Sequence, residues 1–143
     1  MKFVAKEFGA LEGSQVYEIL KSRSEVFMLE QKILCLDMDD VDYKSHHIFL
    51  EAGGRVVAYM RVFFKDADTL SIGRVLTLTH GEGLGRKLME LGLAYIKENL
   101  KPRKLTLHSQ THAKGFYEKF GFSAVGEEFL EEGVPHIAME LYM

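Results

Sequence analysis

Cysteine is almost absent from this 143-residue chain, with Cys35 alone. One thiol cannot close an intramolecular disulfide or build a multi-cysteine zinc site. Proline is scarce too, at Pro102 and Pro135. With no Pro/Ser-rich linker, repeat or low-complexity tract, one domain over residues 1–143 is expected. No apolar run approaches the ~20 residues that span a bilayer. The N-terminal MKFVAKEFGA lacks a signal-peptide core. These absences predict a reduced, cytoplasmic protein with no membrane partner. An excess of positive charge is also missing. Lys and Arg total 18 against 21 Asp and Glu, so the basic footprint of a nucleic-acid binder is not there.

What is present is a globular balance, 47% hydrophobic and 27% charged, which argues against disorder. A chain this long buries about 70% of its unfolded surface and needs no staple. Phe3–Phe8 alternates weakly and suits an edge strand. Ser14–Gln31 carries Val16, Ile19, Leu20, Val26, Phe27 and Leu29 near helical spacing, as one or two helices. Lys32–Ser45 is irregular and acidic. Strands are predicted at His47–Glu51, Val56–Phe64 and Thr69–Leu78. Gly53-Gly54 marks a hairpin, and Gly73 a bulge or a close backbone approach. After Gly81–Gly85 comes the clearest helix, striped by Leu84, Leu88, Leu91 and Tyr95 and stopped by Pro102. Leu105 and Leu107 mark a strand, and Thr111–Phe120 a short helix. Phe122–Val125 and Ile137–Tyr142 are strands joined by an acidic turn around Glu127–Gly133. This order predicts an α/β fold, a mixed sheet with helices on both faces. The strand–glycine loop–helix–strand unit is expected to be a right-handed parallel crossover.

Thr79-His80-Gly81-Glu82-Gly83-Leu84-Gly85-Arg86-Lys87 joins a strand to that helix. Alternate glycines let the backbone approach a bulky anion. The first N–H groups of a helix lack internal partners, and its dipole favours negative charge. A diphosphate is the natural guest, with Arg86 and Lys87 as cationic support. The loop lacks the Gly-Lys-Ser/Thr ending of a Walker loop. It also lacks the glycine spacing and distal acid of a dinucleotide fingerprint.

This loop resembles the acetyl-CoA pyrophosphate loop of the GNAT N-acetyltransferase superfamily, Gly83 and Gly85 matching and His80 standing where Arg or Gln is usual. Further segments resemble the ElaA-like branch of that superfamily. They are Arg23-x-x-Val26-Phe27-x-x-Glu30-Gln31, the Asp37–Asp42 cluster with His46, Ile72-Gly73-Arg74-Val75, Gln110-x-His112, Phe116-Tyr117-x-x-Phe120-Gly121-Phe122 and Glu132-Gly133-Val134-Pro135-His136-Ile137. Lys32-Ile33-Leu34-Cys35-Leu36 replaces a common Pro-Tyr segment. The resemblance implies a mostly antiparallel sheet whose parallel strands 4 and 5 splay apart. It implies acetyl-CoA as cofactor, a small-molecule or peptide amine as acceptor, and a homodimer as one assembly state.

Acyl transfer from a thioester to an amine needs a donor for the oxyanion, a proton for the departing thiolate, and positioning. The resemblance makes Tyr117 the proton donor, although the cluster Phe116, Tyr117, Phe120 and Phe122 also reads as core. It places Val75, Leu76, Thr77, His80, Gly81, Glu82, Gly83, Leu84, Gly85, Arg86 and Phe116 at the cofactor. An N–H near Val75 or Leu76 is the expected oxyanion donor.

For the acceptor, Asp39 and Asp42 in the acidic loop would attract a cation. Such runs are also commonly solvated loops. Arg23 and Glu30 share a helical face and either line the cleft or pair with each other. His46, His112 or His136 could relay a proton, and Gln110 could line the pocket. No His-Glu-x-x-His spacing supports a zinc site, and no metal is expected. The alternatives to an acetyltransferase are a non-catalytic acyl-CoA-sensing module, and a metal hydrolase built on the Asp/His-rich middle. Cys35 has only Lys32 as a cationic neighbour in sequence, so direct attack without a covalent enzyme intermediate is expected.

Overall fold

A computed structural model describes residues 1–143. Seven strands form one sheet in the order β1-β2-β3-β4-β5-β7-β6. β1 (Lys2–Glu7), β2 (His46–Ala52), β3 (Arg55–Phe64) and β4 (Thr69–Thr77) make an antiparallel meander. Gly53 and Gly54, at φ 57° and 78°, turn β2 into β3. Those values suit a type I′ hairpin and come easily only to glycine. β5 (Lys104–Gln110) runs parallel to β4, β7 (Val134–Tyr142) returns antiparallel to β5, and β6 (Ser123–Glu131) forms the outer edge.

Two cores follow from strand alternation. On one face Ile48, Leu50, Met60, Val62, Leu70 and Ile72 meet Leu88, Met89 and Ile96 of α2 (Leu84–Tyr95) and its continuing π-helical turn Ile96–Leu100. On the other, Phe49, Tyr59, Leu76 and Val4 meet Ile19 of α1 (Gly13–Arg23) and Val26 of the π-helical turn Ser24–Glu30. Helices therefore lie on both faces, as expected.

Two elements differ from the sequence reading. α3 spans only Lys114–Glu118, after a 3-10 turn over Thr111–Ala113. β6 runs on to Glu131, so the acidic turn shrinks to Glu132 and Gly133, with a bulge between Val125 and Phe129. β6 is an edge strand almost wholly exposed. Glu127 and Glu128 are tolerated there because neither face is covered, and hydropathy alone then mimics a loop.

Candidate active site

β4 and β5 are paired only from Thr69↔Lys104 to Ile72↔Leu107. Beyond that point they separate. The cause lies in β4, where Arg74 adopts φ 54° and the register against β3 shifts between Tyr59 and Arg61. One extra residue reverses the alternation. Ile72 therefore faces α2, while Leu76 belongs to the opposite core. The bulge anticipated at Gly73 is thus centred one residue later. A cleft of about 560 Å³ fills the gap, with Gly73–Val75 on one wall and His108, Gln110 and Tyr117 on the other. Phe27 and Ile33 overhang it from the segment after α1. Past Ile72, β4 keeps β3 on one edge only. The outward amides and carbonyls of Val75–Thr77 are free to pair with an extended ligand.

That open edge leads into the glycine loop. Gly81 and Gly83 sit at φ 78° and 76°, and a Cβ on either would meet nothing within 4 Å. Gly85 differs, since its Cβ would come within 3.3 Å of the Phe116 ring. A larger residue at position 85 would press on the Phe116 ring, which packs against the start of α2. The helix N-terminus is bare. α1 caps itself through Glu12 and Gln15, whereas α2 has no side-chain cap and no acid in its first turn. Its first internal bond runs from Lys87 N–H to Gly83 C=O, at 3.0 Å. The amides of Leu84, Gly85 and Arg86 have no partner within the helix. Loop side chains turn elsewhere: Thr79 Oγ1 donates to Glu82 at 2.7 Å, and Arg86 pairs with Glu90 at 2.8 Å. His80 and Glu30 meet at 2.7 Å, tying the loop to the segment after α1.

Tyr117 is at once a core residue and a cleft residue. Its ring packs edge-on against Phe116 and Phe122 at 5.1 and 6.0 Å, and the residue is 8% exposed. It also lines the cleft. Burial pushes its phenol up to about 12, so it holds its proton at neutral pH.

The acceptor-side candidates divide. Gln110, His112 and His136 line the cleft. Gln110 donates to Gln31 at 2.9 Å and meets His112 at 2.8 Å, bridging β5 to the segment after α1. Arg23, Asp39 and Asp42 require correction. Arg23 is fully buried and pairs with Asp37 and Asp42, both at 2.7 Å, not with Glu30. Arg61 pairs with Asp39 at 2.7 Å and with Asp42 at 3.1 Å, and Arg74 with Asp37 at 2.9 Å. The Arg61 hydrogen bond leads the causes that hold the Asp39 carboxyl down to about 2. Burial alone would raise Asp42, but bonds from Arg23 and Arg61 leave it lowered. Three arginines thus neutralise the acidic loop and fasten it over β3 and β4. Of its four aspartates only the exposed Asp40 stands outside these ion pairs. His46 lies outside the cleft, 3.8 Å from Glu7. Neighbouring His47 is buried between the Tyr59 hydroxyl and the Asp42 carbonyl, at 2.7 and 2.9 Å.

Several cleft residues lie outside the site expected from sequence, Arg61, Lys65, Cys35, His108 and Glu131 among them. Cys35 was read as a loop residue yet stands on the cleft wall. His108 and Glu131 also face the cleft, 2.9 Å apart. Strand alternation through Gln110 could have found His108, whereas Glu131 was hidden in the assumed turn. No group of three His, Cys, Asp or Glu side chains is arranged to hold a metal ion. No helix is long and apolar enough to cross a membrane.

An acetyltransferase (GNAT) domain model matches residues 15–143. A UPF0039 protein of Schizosaccharomyces pombe is 36% identical, covering 99% of this chain and 97% of its own. Protein ElaA of Escherichia coli is 35% identical, covering 90% and 88%. Among solved structures, an acyl-CoA N-acyltransferase from Pseudomonas aeruginosa superposes with TM-score 0.91 at 31% identity, covering 98% and 99%. The crystal structure of Escherichia coli ElaA gives 0.90 at 32% identity, covering 97% of each.

Proposed function

The chain belongs to the GNAT acetyltransferase family, in its ElaA-like branch, and on that premise we propose that it transfers an acetyl group from acetyl-CoA to a primary amine by direct attack. The observation that carries this is the pairing of two features, the outer edge of β4 left open past Ile72 and the uncapped start of α2 beyond the glycine loop. Gly81 and Gly83 fit a diphosphate there, because no side chain intrudes and the helix supplies no cap of its own. Bound acetyl-CoA would supply an activated thioester carbonyl.

Every other element of the chemistry belongs to the chain. The amides of Leu84, Gly85 and Arg86 hold the diphosphate. Phe116 braces the loop by packing under Gly85. The outward edge of Val75–Thr77 aligns the pantetheine arm as an added strand would. An N–H at Val75 or Leu76 stabilises the carbonyl oxygen as it gains charge. The Tyr117 hydroxyl gives its proton to the departing sulfur.

Two measurements test this. A titration with desulfo-CoA reads the loop, and thiol release from acetyl-CoA against polyamines, amino acids, aminoglycosides and peptides reads the reaction. Saturable binding with turnover of at least one amine is expected. Binding without any turnover would favour an acyl-CoA-sensing module. Failure to bind would remove the site altogether.

A further inference from the structure

Alternation on three adjacent strands gathers a second set of side chains at the splay, on the face opposite Tyr117. Leu107 and Ile137 point into the α2 core, so His108, Gln110 and His136 project from the other face, with His136 paired across from Gln110. Phe129 pairs with His136 from β6, and Glu131 lies two residues further on the same side. His136 is 7% exposed, and its ring stacks on Phe129. Its Nδ1 lies 2.7 Å from the Val134 carbonyl. A carbonyl only accepts, so Nδ1 carries the hydrogen. In the neutral ring Nε2 is then a bare lone pair. Its facing partner, 3.5 Å away, is Glu131 Oε2, another acceptor. Two acceptors face each other across a gap that wants a proton or an N–H donor. The other Glu131 oxygen is held at 2.9 Å by His108 Nδ1, which fixes the carboxylate.

From this arrangement, and resting on the acetyltransferase reading, we propose that His136 is the catalytic base for a cationic primary amine and that Glu131 and His108 position it. The ammonium donates into the gap between Nε2 and Oε2. One N–H bond breaks toward Nε2, and the resulting imidazolium is balanced by the Glu131 carboxylate. The freed nitrogen lone pair forms the C–N bond as the C–S bond breaks, and sulfur takes the Tyr117 proton. The second proton lost by nitrogen restores the phenol, and the imidazolium releases its own to water. Competing charges at the cleft are largely occupied: Arg61 and Arg74 are bound to aspartates, and Asp37 is bound by Arg23 and Arg74. Lys65, Glu132 and His112 also line it. Lys65 and Glu132 take part in no ion pair, and His112 is held by Gln110.

The test uses the whole protein and two variants, His136→Gln and Glu131→Gln. With an alkylamine at pH 7, each should lower kcat/KM, His136→Gln by about 10²–10⁴-fold as expected for a lost general base. With an arylamine, already neutral at pH 7, the deficit should shrink at least about tenfold, and raising the pH should shrink it for the alkylamine too. Desulfo-CoA affinity should not change. A deficit equal for both amines and flat with pH, or no deficit, overturns the assignment. A second readout is independent of turnover. The imidazole ¹⁵N resonances of His136 should shift saturably with butylammonium chloride in the wild type and not in Glu131→Gln. No such shift in the wild type ends the proposal. If the wild type acetylates no amine while binding desulfo-CoA, the acetyltransferase reading fails by itself, and the resonance titration alone judges the ammonium site.

Discussion

Replacing Tyr117 by Phe removes one hydroxyl and little else. The ring keeps its edge-on contacts with Phe116 and Phe122, so folding should be preserved. A positioned proton donor contributes about 10²–10⁴-fold to rate, which at 1.36 kcal/mol per tenfold is about 2.7–5.4 kcal/mol of barrier. Thiol release from acetyl-CoA by Tyr117→Phe should therefore fall by at least about 100-fold in kcat, with desulfo-CoA affinity unchanged. The alkaline range supplies an internal check. Burial raises the phenol from 10.0 to about 12. A raised folded-state value means stability fully present below pH 10 and lost as pH climbs toward 12. Two units correspond to roughly 3 kcal/mol. The wild type should weaken over that interval more than the variant does, and no loss of rate below pH 10 should trace to this phenol. A variant that turns over within threefold (roughly 0.7 kcal/mol) of the wild type, with cofactor bound, would refute the reasoning.

Gly83→Ala forces a Cβ into φ 76°, costing about 1–2 kcal/mol, and should weaken desulfo-CoA binding measured by calorimetry. Unchanged affinity in a folded variant would count against the loop. Removing Asp42, which Arg23 and Arg61 both contact, leaves Arg23 with Asp37 and Arg61 with Asp39 as the remaining carboxylates. Asp42→Ala should cost about 1–3 kcal/mol in urea unfolding, and a change under about 0.5 kcal/mol would dissolve the idea of a cross-braced loop. Acid should destabilise the fold in two stages. Burial lowers His47 below its ordinary 6.5, so the folded state resists a proton that the unfolded chain accepts, and stability drops as pH falls through that value. Asp39, held at about 2, and Asp42 add losses below about pH 4. A urea midpoint level from pH 8 to 5 would contradict the first stage. Cys35→Ala should retain most turnover despite its place on the cleft wall, and complete loss in a folded variant would demand a covalent step.

The periodic and punctuating residues made most of the sheet and both long helices readable in one dimension. Gly53-Gly54, Pro102 and the Leu84–Tyr95 stripe act on their own neighbours, so no partner is needed to interpret them. Gly81 and Gly83 likewise announce a bare helix start, because positive φ is a property of the residue and its turn. By itself, then, the chain determined a mixed sheet, a glycine loop ahead of an amphipathic helix, and an aromatic run around Tyr117. Only the folded molecule decided what the charges do. Asp39 and Asp42 look like an acidic surface until Arg23, Arg61 and Arg74 arrive from three other elements. The pairing of Glu131 with His108 and His136 likewise waits on three strands coming together, with His108 and Glu131 lying 23 residues apart in the chain. A local pattern reports backbone conformation, which is set within a few residues. Whether a carboxylate stands free or neutralised depends on Coulomb and hydrogen-bond partners brought near by the sheet, and that is settled only by tertiary structure.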